Sequence, residues 1–251
     1  EFKKMDILDF DSLKKVIFNS DGIFHQAALT SVPESFTQKE KYHNVNVKGT
    51  ENIFKLAKEF GKKVVYASSS SIYGNTTTIP IQENFEKNPI NPYGITKLDD
   101  EKLAKKYHNL GLSVIGLRYF NVYGIGQTND YAGVITKFID QINLNKSPII
   151  FGDGTHTRDF ISVEDIAKAN LLSMESNTDF SFLNIGTGIS TSIKELAELM
   201  IELSGKKLEI SFDDLPLGDV KDSLADVSLA KKLINWNSET SLKNGLKKFF
   251  F

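Results

Sequence analysis

Val64-Val65-Tyr66-Ala67-Ser68 runs directly into Ser69-Ser70-Ser71-Ile72-Tyr73-Gly74, and the reading of the fold turns on this stretch. An apolar run too short for a helix fits a strand buried on both faces of a parallel sheet. The residues immediately after the run are small and hydroxyl-bearing, and ligands of open parallel sheets lie beyond the carboxyl ends of the strands. Two other runs end alike: Gly22-Ile23-Phe24-His25 leads into Gln26-Ala27-Ala28, and Ser113 to Tyr119 into Phe120-Asn121-Val122-Tyr123-Gly124. Any one of these is explained equally well by an ordinary turn rich in small residues. Three in succession point to a cofactor edge.

Around these runs the chain alternates strand and helix. Pro148 to Gly152 and Phe182 to Gly186 are further strand candidates. Helical stretches are expected over Asp11–Phe18, Glu34–Phe60, Pro92–Leu110, Val134–Leu144, Val163–Met174, Ser192–Leu203 and Ser228–Leu233. Asp11 and Ser192 are the expected N-caps, and Gly61, Gly111 and Gly205 sit where helix ends favour glycine. Repeated βαβ units imply an α/β fold with a parallel, doubly wound sheet. From about Gln127 onward the pattern loosens, suggesting a smaller second lobe. The expected division is 1–125 and 126–251, with about 157–187 returning to the first unit. No internal repeat or low-complexity tract is present.

Composition removes whole classes of function. The 251 residues carry a net charge of −2 and 40% apolar content, too balanced and too apolar for a disordered charged chain. Such neutrality argues against nucleic-acid or membrane-surface electrostatics. Without cysteine there is no disulfide, thiolate metal site or cysteine nucleophile. The four histidines, His25, His43, His108 and His156, show no short ligand spacing, so no metal is expected. No apolar run approaches the ~18 residues of a membrane span, and Glu1-Phe2-Lys3-Lys4 is no signal peptide. A cytoplasmic globular protein is the expectation. Of 30 basic residues only Arg118 and Arg158 are arginines. Arginine's planar fork suits phosphate and carboxylate, although composition bias with ordinary surface pairing explains the pair equally well.

The chemical candidate is Tyr93-Gly94-Ile95-Thr96-Lys97. Four-residue spacing near a helix start puts phenol and ammonium on one face, and a nearby ammonium favours the phenolate that a proton acceptor requires. The pair alone is weak, since a chain with 28 lysines and eight tyrosines yields about one such match by chance. Its context is stronger. Asn91-Pro92-Tyr93-Gly94 opens a helix 24 positions after Ser69, at the end of a serine-rich strand.

That combination resembles the extended branch of the short-chain dehydrogenase/reductase superfamily, and within it the NAD-dependent nucleotide-sugar 4-epimerases. The resemblance runs collinearly through Asp6-Ile7, His25 to Ala28, Asn46-Val47-Lys48-Gly49-Thr50, the serine run, Tyr93 to Lys97 and Leu117 to Gly124. It continues through Arg158-Asp159-Phe160, Asn184 to Gly188, Gly218-Asp219 and Ala225-Asp226. It implies a Rossmann-type sheet with a smaller α/β substrate-binding lobe, bound NAD and a UDP-sugar substrate. Tyr93 is implied as the base at the sugar 4-hydroxyl, Lys97 as the group that depresses its pKa and holds the nicotinamide ribose, and Ser69 as a hydrogen-bond partner of the same oxygen. Hydride leaves C4 for NAD, the 4-keto sugar rotates, and hydride returns to its other face. Asp6 and Ile7 are implied at the adenine, and Ala27, Ala28, Asn46 and Tyr119 along the rest of the cofactor. Asn121 and Arg158 are implied at the substrate diphosphate, with Ser31, Ser70 and Phe151 also at the substrate; Arg118 receives no such role.

Dehydrating relatives carry Asp-Glu directly after the catalytic Ser/Thr, and decarboxylating ones keep the Glu. Here Ser70 and Ser71 supply no carboxyl group, which favours epimerisation. In similar epimerases the residue at Ser223 gates the space beside the sugar 2-substituent. A serine leaves room for an N-acetyl group, and Gly133 matches another position that tends to be small. UDP-N-acetylhexosamines are therefore favoured, with UDP-glucose and UDP-galactose as alternatives. An ordinary loop serine is the plain reading of Ser223.

The sequence departs from the family twice. Pro216 stands where the family usually has an arginine aimed at the diphosphate, with Lys221 as a flexible substitute. No glycine-rich pyrophosphate loop is present, and one to two βαβ units of ~30 residues are expected to be missing ahead of Glu1. Two alternatives stay open at this point: a non-catalytic remnant that binds nucleotide sugar, and a reductase or dehydrogenase of the same branch. In similar enzymes the two long helices, Glu34–Phe60 and Pro92–Leu110, form a dimer interface, so a homodimer is expected.

Overall fold

The computed structural model describes residues 1–127, 133–214 and 221–250. Helix α1 (Phe10–Phe18) leads into strand β1 (Gly22–His25). Two short helices come next, α2 (Val32–Thr37) and α3 (Lys39–Tyr42), then a π-helical turn over His43–Lys48 and helix α4 (Gly49–Glu59). Strand β2 (Lys63–Ser69) ends in a 3₁₀ turn, Ser70–Ile72. Helix α5 (Pro92–His108) and strand β3 (Val114–Tyr119) complete the first half.

β1, β2 and β3 pair in parallel, and β3 pairs in parallel with a fourth strand, Phe180–Ile185, which arrives after the intervening lobe. The register sets His25 beside Tyr66, and Ser69 level with Tyr119 and Ile185. Alternation along β2 sends Val64 and Tyr66 to one face and Val65 to the other. The first face packs on Leu13 and Ile17 of α1, Ile53 and Phe54 of α4, and Ala104 and Tyr107 of α5. The second packs Val65, Ile115 and Leu117 against Ile166, Ala169 and Trp236. Helices thus cover both faces, which is why the strands read as continuous apolar runs.

The second half begins with β4 (Asn121–Tyr123), α6 (Val134–Asn143) and β5 (Ile149–Phe151), and continues with β6 (Thr157–Arg158), β7 (Phe160–Ser162) and α7 (Val163–Glu175). After β8, the strand Phe180–Ile185, come β9 (Thr191–Ser192), α8 (Ile193–Ser204), β10 (Ser211–Asp213), α9 (Ser228–Ile234) and α10 (Leu242–Lys247). Three two-stranded pairings, β10–β5, β4–β7 and β6–β9, frame this part. Phe138 and Ile142 of α6 pack there against Leu196 and Met200 of α8.

Two expectations need correction. The N-cap of α1 is Asp9, whose carboxylate accepts from Ser12 N at 3.1 Å and Ser12 Oγ at 2.6 Å, while Asp11 lies in the first turn. The stretch 34–60 is not one helix. It breaks at Gln38, and the π turn then carries one extra residue. That turn delivers the Asn46 carboxamide to the loop after β1, where it accepts from Leu29 N at 2.8 Å and donates to Leu29 O at 3.0 Å. The Ser192 cap forms as expected, with Glu195 completing a capping box.

Candidate active site

Asn91 caps α5 by accepting from Gly94 N at 2.8 Å, and Pro92 fills the first turn, where no amide donor is needed. A Cβ on Gly94 would stand 2.8 Å from the Ser71 carbonyl. Glycine there lets the first turn of α5 lie on the turn after β2, so Tyr93 reaches the strand end that carries Ser69. Lys97, one turn along, is buried. Its Nζ donates to Ala67 O at 2.9 Å and to Asp100 Oδ2 at 3.4 Å.

Tyr93, Lys97 and Ser69 line one cavity of about 1000 Å³. Ala28, Tyr119, Asn121, Phe151, Arg158 and Gly133 share it, so both halves of the chain contribute. Ser69 Oγ accepts from Ser71 N at 3.1 Å, shaping the turn. Tyr119, Gln26 and Asn170 bond in a ring: Tyr119 donates to Gln26 Oε1, Gln26 to Asn170 Oδ1, and Asn170 to Tyr119 Oη. Burial pushes the Tyr119 phenol up to about 12, so it stays neutral. Asn121 Nδ2 is buried without a partner among the described residues, a donor left over at the cavity wall. Arg158 gives Nη1 to the carbonyls of Thr157 at 2.8 Å and Lys221 at 3.2 Å.

Other expected residues lie outside the cavity lining. Asp6 is exposed and accepts from Leu8 N at 2.9 Å within its own turn. Ile7 packs over Gly49, where a Cβ would be 2.5 Å from Ile7 Cδ1. Ala27 is exposed just beyond β1. Asn46 is wholly buried and also donates to Thr96 Oγ1 at 3.0 Å, tying the post-β1 loop to α5. Ser31 caps α2. Ser70 opens the 3₁₀ turn, and its neighbour Ser71 lines the cavity instead. Ser223 is buried, its amide bonded to Thr157 O at 3.1 Å next to Arg158. Pro216, Gly218 and Asp219 lie outside the described residues.

Behind the cavity stand polar groups to which the sequence reading gave no role at the site. Glu101 takes both Arg118 and Ser68 Oγ, and Arg118 reaches Tyr73 Oη at 2.7 Å. His25 Nε2 meets Thr50 Oγ1 at 2.8 Å, and burial drives the imidazole down to about 3. Asp100, the buried acceptor of Lys97, also has no role in the sequence reading, although it stands three residues after Lys97 and hence on the same helix face.

A family model described as "NAD dependent epimerase/dehydratase family" matches residues 1–186. A UDP-glucuronate 4-epimerase of Thermodesulfobacterium geofontis is 37% identical over 99% of this chain and 77% of its own length. Among solved structures, the UDP-N-acetylglucosamine 4-epimerase of Methanobrevibacter ruminantium, in complex with UDP-N-acetylmuramic acid, aligns with a TM-score of 0.95 at 36% identity. The match covers 99% of this chain and 81% of that one. The UDP-glucuronic acid 4-epimerase of Bacillus cereus, bound to UDP-glucuronic acid and NAD, aligns with a TM-score of 0.92 at 31% identity, covering 100% and 80%.

Proposed function

The chain belongs to the NAD-dependent epimerase/dehydratase family, and from that premise we propose that it is a UDP-sugar 4-epimerase whose preferred pair is UDP-N-acetylglucosamine and UDP-N-acetylgalactosamine. The observation that carries the reading is the convergence of Tyr93, Ser69 and Lys97 on one cavity, brought together from the end of β2 and the first two turns of α5. A carboxyl group, which dehydration or decarboxylation would require beside Ser69, is replaced by Ser70 and Ser71.

The residues present fit NAD. The buried Lys97 ammonium, the Tyr119 phenol and small side chains such as Ala28 face the cavity at the strand ends, where a dinucleotide lies in this kind of sheet. When bound beside Lys97 and Tyr119, NAD would supply the hydride acceptor and donor for C4 of the sugar. Tyr93 removes the proton of the 4-hydroxyl and later gives it back. Ser69 donates to the same oxygen and holds it in line. Lys97 orients the ribose and supplies the positive charge beside the phenol. Asn121 and Arg158 hold the diphosphate while the 4-keto sugar turns over between them.

The N-acetyl preference is supported by the small residues Ser223 and Gly133 and by the likeness to an N-acetylglucosamine 4-epimerase. Purified protein supplied with NAD should equilibrate UDP-N-acetylglucosamine with its 4-epimer without net NADH. Turnover of UDP-glucose alone would sink the N-acetyl preference, and steady NADH accumulation would replace epimerase by dehydrogenase. The expected homodimer would use α5 and the α2–α4 run, whose contacting members α2 and α5 leave Phe36 and Ile95 exposed. A monomer in sedimentation would remove it.

A further inference from the structure

Lys97 does not stand alone in the interior. Asp100, one turn along α5, is fully buried, and its Oδ2 lies 3.4 Å from the Lys97 Nζ. An ammonium has three N–H donors. The Ala67 carbonyl and Asp100 draw two of them inward, leaving one for the cavity that Lys97 lines. Asp100 Oδ1 accepts no hydrogen bond among the described residues, so this carboxyl group is not there to satisfy a backbone or cap.

Resting on the epimerase reading, we propose that Asp100 is a positioning residue that fixes the Lys97 ammonium and sets how much of its charge reaches the Tyr93 phenol. When Asp100 is ionised, the pair is nearly neutral seen from the phenol, which feels a dipole. When Asp100 is protonated, the phenol feels a full positive charge. Attraction between charges falls with distance and dielectric, so a compensating anion 3.4 Å behind the cation removes much of its field at the next turn.

The surroundings allow both states near neutrality. Burial pushes Asp100 up to about 7, against the pull of Lys97 and the nearby Thr50 hydroxyl of α4, while Asp99 adds a smaller push in the same direction as burial. From β1, the His25 imidazole is held neutral by burial and by Lys97. From β2, Tyr66 is held neutral by its own burial and by the charges of Glu101 and Asp100. Glu101 is turned to Arg118 and Ser68. Among the described residues, Lys97 is therefore the one cation bonded to Asp100.

The decisive comparison is the tyrosinate titration of Tyr93 in wild type and Asp100→Asn, read by ultraviolet difference absorbance with Tyr93→Phe as blank. Asparagine keeps an acceptor for Nζ and removes the charge. The midpoint should fall by about one pH unit, and the acid limb of kcat/KM should move with it. Should Asp100→Asn fail to fold, Asp100→Ser carries the same expectation, with space for a water beside Nζ. A midpoint that stays put or rises in a folded variant overturns the proposal, leaving Asp100 as a counterion for burial only. Epimerase failure is distinguishable: a wild type without turnover would refute that reading, and the tyrosinate midpoints would still report on Asp100.

Discussion

Glu101 grips Arg118 with both carboxylate oxygens, to Nε and Nη2 at 2.8 Å each, and neither side chain is more than 5% exposed. Arg118 also donates to Tyr73 Oη at 2.7 Å and the Glu83 carbonyl at 2.9 Å, while Glu101 accepts from Ser68 Oγ. The pair thus braces the end of β2 and the turn after it from the side away from the ligand. The sequence assigned Arg118 no substrate role, and its burial fits that.

Breaking this pair from one side strands a charge in the interior. Glu101→Gln should destabilise the protein by about 3–5 kcal/mol in denaturant titration. The double variant Glu101→Leu/Arg118→Met, apolar and of similar bulk, should regain most of that loss. A Glu101→Gln protein as stable as wild type would mean that water reaches the site.

In the proposed reaction Tyr93 and Ser69, which line the same cavity, act on one oxygen. Tyr93→Phe should lower kcat by about 10²–10⁴-fold, with the thermal midpoint unchanged. Ser69→Ala should cost less in kcat, because it removes a hydrogen bond and leaves the base in place, with some loss of order in the turn that Ser69 caps. Steady-state rates with thermal melts of the same preparations decide both.

That Ser69, Tyr93 and Lys97 share one cavity was legible because each lies in a local pattern: a strand end, a helix start and a four-residue spacing. The bracing groups were not. Asn46 finds Leu29 and Thr96, and Arg118 finds Tyr73 and Glu101, across 17 to 50 residues of chain. Such partners become visible only once β2, β3 and α5 are packed. The π turn was hidden for a related reason. Its helical periodicity is sound, and the Asn46 carboxamide that it carries finds its partners at Leu29 and Thr96, far along the chain. The cap expected at Asp11 falls two residues earlier, at Asp9, where the bond from Ser12 N fixes it.

His25 is buried, and its pKa is driven from 6.5 down to about 3, chiefly by desolvation. The unfolded chain takes up a proton below pH 6.5 that the fold refuses, so stability is full above 6.5 and is lost as pH falls towards 3. Asp100, raised to about 7, runs the other way between its ordinary 3.8 and 7, because there the fold holds a proton that the unfolded chain releases. His25→Gln should therefore remove up to one proton of acid-destabilising slope relative to wild type. Denaturant titrations at several pH values between 4 and 7 measure the difference; parallel curves would show that His25 titrates normally.

Gly186 leaves β8 where backbone and carboxylate nearly touch. A Cβ there would be 2.6 Å from Asp159 Oδ2 and 2.7 Å from Ala225 Cβ. Asp159 is wholly buried and holds Thr187 N, Gly188 N and Ala225 N. Gly186→Ala should cost about 1–3 kcal/mol by overpacking. Because Asp159 adjoins Arg158 at the cavity, KM for the UDP-sugar should also rise. A variant with wild-type stability and KM would show that this loop yields freely.

Ser223 offers the sharpest test of substrate choice. Its amide is bonded to Thr157 O at 3.1 Å, Asp222 accepts from Thr157 Oγ1 at 2.7 Å, and the next residue, Arg158, lines the cavity. Ser223 is buried without lining the cavity itself, so added bulk there would reach the ligand through β6, the strand that carries Arg158. If Ser223 keeps space for a 2-acetamido group, Ser223→Tyr should depress kcat/KM for UDP-N-acetylglucosamine at least tenfold more than for UDP-glucose, since filling a pocket by a few heavy atoms discriminates by roughly 10–200-fold. Competition assays with both substrates in one tube read the ratio directly. An equal loss on both would mean that position 223 acts through the Thr157 contact and does not select the sugar.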